Sequence, residues 1–176
     1  TNVLGSSNKP LRKYLVNRNA IPAELKTKRQ WVCWKAGTPK TNGKFDKIPV
    51  NPKTGISTDG TKRDNWLTFE EACRYYDSGK CDGIGFGLSP DPFDLDLNGN
   101  PLYLIALDFD GVGSHSKDIQ EIWKKLGKPY LEVSPSGYGL RMFVLSRSLV
   151  KGGNDGSGHE MYAYSRFVSV TGDSGR

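Results

Sequence analysis

Residues 102–112 read LYLIALDFDGV, and the rest of the chain is organised around this stretch. Its apolar opening predicts a buried strand of a packed sheet. Side chains of a strand alternate between faces, so Asp108 and Asp110 share one face. Two neighbouring carboxylates at the end of an apolar strand are costly to desolvate, and bound cations offset that cost. The stretch predicts either a Mg²⁺ or Mn²⁺ site for phosphoryl or nucleotidyl transfer, or a plain turn in which Gly111 supplies positive φ.

The composition is that of one domain: 176 residues, 36% hydrophobic and 25% charged. Without a run of about 18 apolar residues or a recognisable signal peptide, we expect no membrane span. The three cysteines, Cys33, Cys73 and Cys81, lack metal-binding spacing and predict reduced thiols in a cytoplasmic protein. A net charge of +6 is consistent with a polyanionic partner, although many basic proteins bind none.

Hydrophobic patterning predicts an α+β domain with a mainly antiparallel sheet, built from about eight short strands and three or four helices. The strands are predicted at 30–35, 47–50, 83–88, 130–133, 140–144, 160–162, 166–172 and in the central acidic stretch.

Two helices have clear signatures, and the N-terminus carries weaker helical signals. One helix is predicted over 67–76, where Thr68 is the N-cap and Glu71 its capping-box partner, and another over 117–125. The segment LRKYLVNRN and the turn after Pro22 predict a helical lead-in. Asp94 and Asp96 repeat the acidic spacing between turn residues, which predicts a solvated loop.

Further chemistry-bearing residues follow the acidic strand. Glu160 lies on a predicted strand, where it offers a third carboxylate for the same metals. The turn SPSGYG, residues 134–139, offers small residues and exposed amides as a nest for phosphate oxygens, and Arg141 follows it. Further cations beside turns are Lys47, Lys53 and Arg166. The simpler alternatives are a surface glutamate, a hairpin turn, and basic side chains paired with acidic neighbours.

Together these segments resemble the primase–polymerase domain of the archaeo-eukaryotic primase superfamily, of the type carried by phages, plasmids and other mobile elements. The matching segments are QWVCWK, KIPVNPKTG, DNWLTFEEA, GIGFGL, ALDFDGV, SPSGYGLRMF, EMY and RFVSVTG. The resemblance implies a catalytic core over 29–173, with an RRM-like, mainly antiparallel sheet, an N-terminal α/β unit and the active site between them. We therefore expect 1–176 to be a single catalytic domain with a lead-in over 1–28, and to be part of a longer protein.

The resemblance implies template-dependent nucleotidyl transfer, a DNA primase and DNA polymerase activity that uses two Mg²⁺ or Mn²⁺ ions. The implied metal-binding and catalytic residues are Asp108, Asp110 and Glu160. The implied nucleotide-binding residues are Lys47, Ser134, Ser136, Gly137, Gly139, Arg141 and Arg166. The implied partners are single-stranded DNA template, primer and dNTP or NTP, and in the full-length protein a C-terminal helical domain and a helicase. The implied location is cytoplasmic, and it is the bacterial host cytoplasm if the protein is encoded by a phage or plasmid.

One position departs from the family pattern. The second motif usually ends in histidine, and here that position is Arg141, which is permanently charged and cannot act as a neutral imidazole. This leaves open a weakly catalytic or inactive domain that only binds single-stranded nucleic acid.

Base stacking in such a binder would use Trp31, Trp34, Trp66 and Tyr138, although tryptophans at strand positions usually pack in the core. ALDFDGV also resembles the nucleophile motif of haloacid dehalogenase-like phosphatases, with Asp108 phosphorylated and Asp110 as general acid. That motif normally opens its fold, whereas 107 residues precede Asp108 here, which argues against a phosphatase.

Overall fold

The structure is a computed structural model that describes residues 14–42, 44–111 and 116–175. In chain order the elements are α1 (Ala23–Lys26), β1 (Trp31–Ala36), β2 (Lys47–Val50), α2 (Phe69–Asp77), β3 (Gly83–Leu88), β4 (Asp94–Leu95), β5 (Pro101–Phe109), α3 (Lys117–Lys125), β6 (Tyr130–Val133), β7 (Leu140–Ser146), β8 (Gly153–Asn154), β9 (His159–Tyr162) and β10 (Arg166–Val170), with 3-10 turns at Arg18–Ala20 and Arg63–Asn65. The strands form two sheets, and every described strand pairing is antiparallel. The mixed α and β content and the antiparallel pairing are as predicted, while the RRM-like, primase-type architecture stays a prediction.

The first sheet has the order β10-β3-β1-β2, and its glycines let tryptophan rings pack directly on the backbone. A Cβ at Gly83 would lie 2.3 Å from the indole of Trp34, and one at Gly87 would lie 2.5 Å from the indole of Trp66. Trp34 and Trp66 are 1% and 5% exposed. The alternating glycines of GIGFGL are therefore a packing requirement of this sheet.

The first sheet packs against α2, whose N-terminus has the predicted capping box. The Thr68 hydroxyl accepts from the backbone N–H of Glu71 at 3.2 Å, and the Glu71 carboxylate accepts from the backbone N–H of Thr68 at 2.8 Å. Buried helix residues Ala72, Cys73 and Tyr76 belong to the core that also contains residues of β1 and β3.

The second sheet has the order β6-β7-β5-β9-β8, with β4 pairing on β5, and its two faces have different partners. On one face, Phe109 and Met142 pack with Ile119 of α3 in a small apolar cluster. On the other face, Ala106 and Phe143 join the main core shared with the first sheet. Because side chains alternate along a strand, the polar residues at the end of β5 lie on the face that meets the first sheet.

The chain after β10 joins the two sheets. The Val133 N–H donates to the carbonyl of Asp173 at 2.7 Å, and the Thr171 hydroxyl donates to the carbonyl of Val133 at 2.7 Å. The segment 171–173 therefore runs along the end of β6, next to the polar end of the sheet interface.

Two local predictions differ from the structure. Asp94 lies on a short, exposed strand rather than in a loop, because the backbone of Asp94–Leu95 pairs with Pro101 and Leu102, whereas Asp96 lies in the loop as predicted. The helix predicted for LRKYLVNRN lies partly outside the described residues, and its described part contains only the 3-10 turn at Arg18–Ala20. The two-residue strands β4 and β8 raise the number of described strands to ten.

The cysteines agree with the sequence-based expectation of free thiols. Cys33, Cys73 and Cys81 are free and buried. Among the described helices, none is long and apolar enough to span a membrane.

Candidate active site

The acidic pair lies at the end of β5, and the strand register decides what faces it. Asp108 is directly opposite Arg141 on β7 and directly opposite Glu160 on β9. Residues directly opposite each other in neighbouring strands project from the same face of a sheet. Asp110 follows two positions later, and its backbone N–H donates to the carbonyl of Gly158 at 2.8 Å. The register thus brings the three carboxylates predicted from the sequence to one end of one sheet face.

Arg141 is buried, with 4% of its surface exposed, and partners from three strands hold its guanidinium. Nη2 donates to Oδ2 of Asp108 at 2.9 Å, and Nη1 donates to both the backbone carbonyl and the hydroxyl of Ser169 on β10. Oε1 of Glu132 on β6 lies 3.8 Å from Nη1. Arg141 therefore links the two sheets at the site in addition to lining it.

Glu132 is a charged residue with no exposed surface. Its Oε2 accepts hydrogen bonds from the backbone N–H groups of Thr171 and Gly172, at 2.9 and 3.0 Å, and from the Tyr130 hydroxyl at 2.7 Å. Burial raises the pKa of Glu132, while the Arg141 guanidinium and these donors oppose the rise. The sequence analysis did not single out this residue, although a glutamate inside the apolar strand YLEV is a detectable signal.

Glu160 is fixed by two neutral donors. The side-chain amide of Asn154 donates to Oε1 at 2.7 Å, and the Tyr162 hydroxyl donates to Oε2. Burial, together with the hydrogen bond to Glu160, raises the pKa of Tyr162. The Arg166 guanidinium stacks over the Tyr162 ring with 4.2 Å between its central carbon and the ring centroid. Arg166 is thus positioned beside the third carboxylate by an aromatic contact.

Two lysines, Lys44 just before β2 and Lys47 at its first residue, supply positive charge to the acidic site from the first sheet. Lys44 Nζ lies 2.8 Å from Oδ2 of Asp110 in an exposed ion pair, which raises the pKa of Lys44. Lys47 is half-buried, with Nζ 5.4 Å from the centroid of the Phe45 ring. Burial, and next the positive charge of Arg141, lower the pKa of Lys47. The sequence analysis predicted Lys47 but not Lys44.

The turn SPSGYG folds back on itself beside the acidic pair. The Ser134 N–H donates to the carbonyl of Gly139 at 2.8 Å, and the hydroxyls of Ser134 and Ser136 lie 3.0 Å apart. Gly137 has a φ of +79°, which favours glycine. A Cβ at Gly139 would lie 3.1 Å from the carbonyl oxygen of Phe109, so the turn packs closely against the end of β5.

A cleft of about 590 Å³ brings these groups together. Of the residues predicted as functional, those that line it are Lys47, Asp108, Asp110, Ser134, Ser136, Arg141, Glu160 and Arg166. Gly137 instead lines a neighbouring cleft, whose lining includes residues between 14 and 20. Neither Gly139 nor Lys53 lines either of these clefts. Lys44 and Tyr162 also line the cleft, although neither is predicted as a site residue from the sequence.

The donor chemistry of the cleft fits Mg²⁺ or Mn²⁺, which prefer carboxylate oxygens. Among the described residues, no three His, Cys, Asp or Glu side chains form a ready metal-binding group. In this structure, Oδ2 of Asp108 is paired with Arg141 and Oδ2 of Asp110 with Lys44. Two of the three carboxylates that would hold a metal are thus paired with basic side chains, and the Lys44–Asp110 pair is exposed, whereas the partners of Glu160 are neutral.

The place of β5 in the chain gives no support to the phosphatase alternative. The nucleophile motif of those phosphatases normally opens the fold, whereas four described strands, β1 to β4, precede β5 here.

The chain is similar to the DNA primase-polymerase of Nitratiruptor phage NrS-1, with 31% identity over 165 residues. The similarity covers 87% of this chain and 21% of the phage protein, so the chain spans about a fifth of the length of this relative. No protein-family model matches the chain. The similarity over most of the chain supports a relationship to primase-polymerases, in agreement with the motifs of the sequence.

Proposed function

We propose that this chain catalyses template-dependent nucleotidyl transfer, as the catalytic domain of a DNA primase–polymerase. The observation that carries the proposal is the strand register that sets Asp108 between Arg141 and Glu160. Similarity to the phage DNA primase-polymerase supports the same class of activity. The proposed substrates are dNTP or NTP, with single-stranded DNA as template and a primer strand.

In this proposal the carboxylates of Asp108, Asp110 and Glu160 hold the divalent cations. When bound, Mg²⁺ or Mn²⁺ supplies activation of the primer 3′-hydroxyl and charge stabilisation of the leaving pyrophosphate. Asn154 and Tyr162 keep the Glu160 carboxylate in place through their hydrogen bonds. Such orienting partners matter because they fix the geometry of the ligand that they contact.

The basic and hydroxyl groups of the cleft bind the triphosphate. Lys47 and Arg166 flank the acidic residues, and Ser134 and Ser136 present hydroxyls from the turn. Nucleotidyl transfer depends largely on positioning and on stabilising charge, so fixed cations at these positions suit the reaction. Arg141, with little exposed surface, acts in this proposal mainly through its ion pair with Asp108.

A domain that binds single-stranded DNA without catalysis is the second candidate. The pairing of Asp108 and Asp110 with Arg141 and Lys44 favours it, because paired carboxylates are less available to a metal. The tryptophans cannot stack on bases in this binding domain, because Trp31, Trp34 and Trp66 are buried. Tyr138, which lies within the turn and is 78% exposed, remains as a stacking residue.

The two candidates are separated by extension of a labelled primer on a single-stranded template, with Mg²⁺ or Mn²⁺ and with dNTPs and NTPs in separate reactions. The test variant is Asp108→Asn/Asp110→Asn, which keeps side-chain size and removes charge. Its matched control is Asp94→Asn/Asp96→Asn, because these residues repeat the Asp-x-Asp spacing outside the cleft, with Asp94 exposed and Asp96 half-buried.

We expect extension by the unaltered chain and by the control, and none by the test variant. If no protein extends the primer, while the unaltered chain and the test variant bind the template with equal, salt-sensitive affinity, the catalytic proposal is wrong and the binding domain stands. The C-terminal helical domain, the helicase and the cytoplasmic location stay predictions.

A further inference from the structure

Glu132 is the most deeply buried charged residue of the described chain, and the proposed reaction leaves it unexplained. It lies directly opposite Arg141 across β6 and β7, as Asp108 does across β5 and β7. The three residues therefore form one row across neighbouring strands, with the guanidinium flanked by a carboxylate on each side. The inner carboxylate is fully buried, and the side chain of the outer one is 16% exposed and lines the cleft.

The inner carboxylate is held in place independently of the arginine. Two backbone N–H groups, of Thr171 and Gly172, and the Tyr130 hydroxyl all donate to the same oxygen, Oε2. The other oxygen, Oε1, is the one nearest the Arg141 guanidinium, at 3.8 Å. Among the described side-chain N and O atoms, only this Oε1 and Nε of Arg141 are both buried and without a hydrogen-bond partner.

This arrangement divides one positive charge between two carboxylates. Arg141 cannot lose its proton, and a buried charge that is left with too little compensation is strongly destabilising. With Glu132 in place, the guanidinium is compensated from the interior. Without the charge of Glu132, Asp108 would be the one carboxylate among the described partners of the Arg141 guanidinium. The positive charge of Arg141 would then repel a cation that binds at Asp108 without an interior carboxylate to offset it.

We propose that Glu132 is a positioning residue that compensates Arg141 from the interior and thereby keeps the Asp108 carboxylate able to bind a divalent cation. The inference rests on the proposed function, because it assigns a role to the same metal-binding face. It also gives a physical reason why arginine is tolerated where the resembling family usually has histidine: the extra charge has its own buried counter-ion.

The test measures binding of Mn²⁺ alone, by electron paramagnetic resonance of the free ion, to the full chain and to Glu132→Gln. This variant keeps the size of the side chain and one oxygen that can accept from the backbone donors; it removes the charge and replaces the other oxygen by an NH₂ group. We expect Mn²⁺ affinity to fall about tenfold, at the lower end of the usual effect of groups that orient metal ligands.

The matched control is Tyr130→Phe, which removes a donor to Glu132 but no charge, and for which we expect Mn²⁺ affinity within about twofold of the unaltered chain. Unchanged Mn²⁺ affinity in Glu132→Gln, or an equal fall in Tyr130→Phe, would overturn the inference.

The double variant Glu132→Gln/Arg141→Gln separates a role exercised through Arg141 from a purely structural one. It removes both members of the buried pair, so it leaves no uncompensated interior charge and keeps the test open if Glu132→Gln alone fails to fold. If Glu132 acts through Arg141, the double variant recovers Mn²⁺ affinity to within about threefold of the unaltered chain. If the double variant binds Mn²⁺ as weakly as Glu132→Gln does, Glu132 does not act through Arg141. Where Glu132→Gln does not fold, a Mn²⁺ affinity of the double variant about tenfold below that of the unaltered chain leads to the same conclusion.

Failure of this inference can be told apart from failure of the proposed function. Mn²⁺ binding that depends on Asp108, without primer extension, would overturn the proposed activity and leave the Glu132 result standing. Mn²⁺ binding that is the same in Asp108→Asn/Asp110→Asn as in the unaltered chain would overturn both.

Discussion

Arg141 on β7 and Asp108 on β5 are direct cross-strand partners, with Nη2 of the arginine 2.9 Å from Oδ2 of the aspartate. The arginine therefore contacts the acidic strand from within the sheet rather than from an open loop. Its guanidinium also donates hydrogen bonds to Ser169 of β10. This one side chain therefore connects β5 and β7 of the second sheet with β10 of the first sheet. A substitution here changes both the fold and the site.

Arg141→His is expected to destabilise the chain, although histidine is the usual residue at this position in the resembling family. Imidazole is too short and too weakly charged to pair both Asp108 and Glu132, so the buried glutamate would be left uncompensated. Breaking one side of a buried ion pair typically costs about 3–5 kcal/mol. The free energy of unfolding, measured by urea denaturation, checks this expectation.

The control is Arg147→His, which alters an arginine whose side chain is 79% exposed and whose ion pair with Asp96 is long, at 3.7 Å. We expect no measurable change in the unfolding free energy of this control, because exposed ion pairs contribute little. Equal stability of Arg141→His and the unaltered chain would contradict the interior compensation described for Glu132.

Lys47 is expected to give nucleotide binding an alkaline limit. Burial and the neighbouring Arg141 lower the pKa of Lys47, whereas Asp108, Asp110 and Asp46 act in the opposite direction. Raising the pH therefore removes this positive charge earlier than for an ordinary lysine, and affinity for the triphosphate falls. Titration of dNTP binding from about pH 7 to about pH 10 should show the fall in the unaltered chain.

Lys47→Arg should retain triphosphate affinity to higher pH, since a guanidinium stays charged throughout that range. Lys53→Arg is the matched control, because Lys53 is exposed and does not line the cleft. If triphosphate affinity falls with rising pH identically in all three proteins, a group other than Lys47 causes the pH dependence.

The sequence could predict the parts of the fold that depend on local pattern. The apolar run before Asp108 indicated a buried strand, and alternation placed Asp110 on the same face. The capping residues Thr68 and Glu71 indicated the start of α2, and the structure confirms the helix at Phe69–Asp77. Each of these features depends on residues close together in the chain, so spacing alone reveals them.

The rest of the site depends on strand register between distant segments. Glu132 is buried because β6 pairs with β7 in the register that sets it opposite Arg141, and because residues 171 and 172 cover it from the far end of the chain. Lys44 reaches Asp110 from a polar loop that has no regular pattern. No local pattern encodes these distances. The sequence therefore predicts the three carboxylates and Arg141 as site residues, but not Glu132 or Lys44.

The glycines of β3 give a test of the packing between β3 and β10. A Cβ at Gly85 would lie 2.6 Å from the carbonyl oxygen of Val168 and 2.9 Å from the ring of Phe167. Gly85→Ala must displace backbone, so we expect a loss of about 1–3 kcal/mol in the free energy of unfolding. Gly153→Ala, where the added Cβ meets no atom within 4 Å, is the control and should unfold at the same urea concentration as the unaltered chain. A neutral Gly85→Ala would show that the two strands can separate without cost.

The Lys44–Asp110 ion pair is expected to compete with metal binding. A cation that binds Asp110 through Oδ2 has to displace Lys44 Nζ, which lies 2.8 Å from that atom. Because the pair is exposed, the competition is weak, and Lys44→Met should tighten Mn²⁺ binding by no more than about fivefold. Calorimetric titration with Mn²⁺ measures this change.

The matched control for that measurement is Lys40→Met. Lys40 forms an ion pair of the same 2.8 Å length with Asp46, on the same segment, and is about as exposed as Lys44. Its substitution should leave Mn²⁺ affinity unchanged, because Asp46 is not one of the proposed ligands. Weaker Mn²⁺ binding in Lys44→Met than in Lys40→Met would mean that Lys44 holds Asp110 in its binding orientation instead of competing for it.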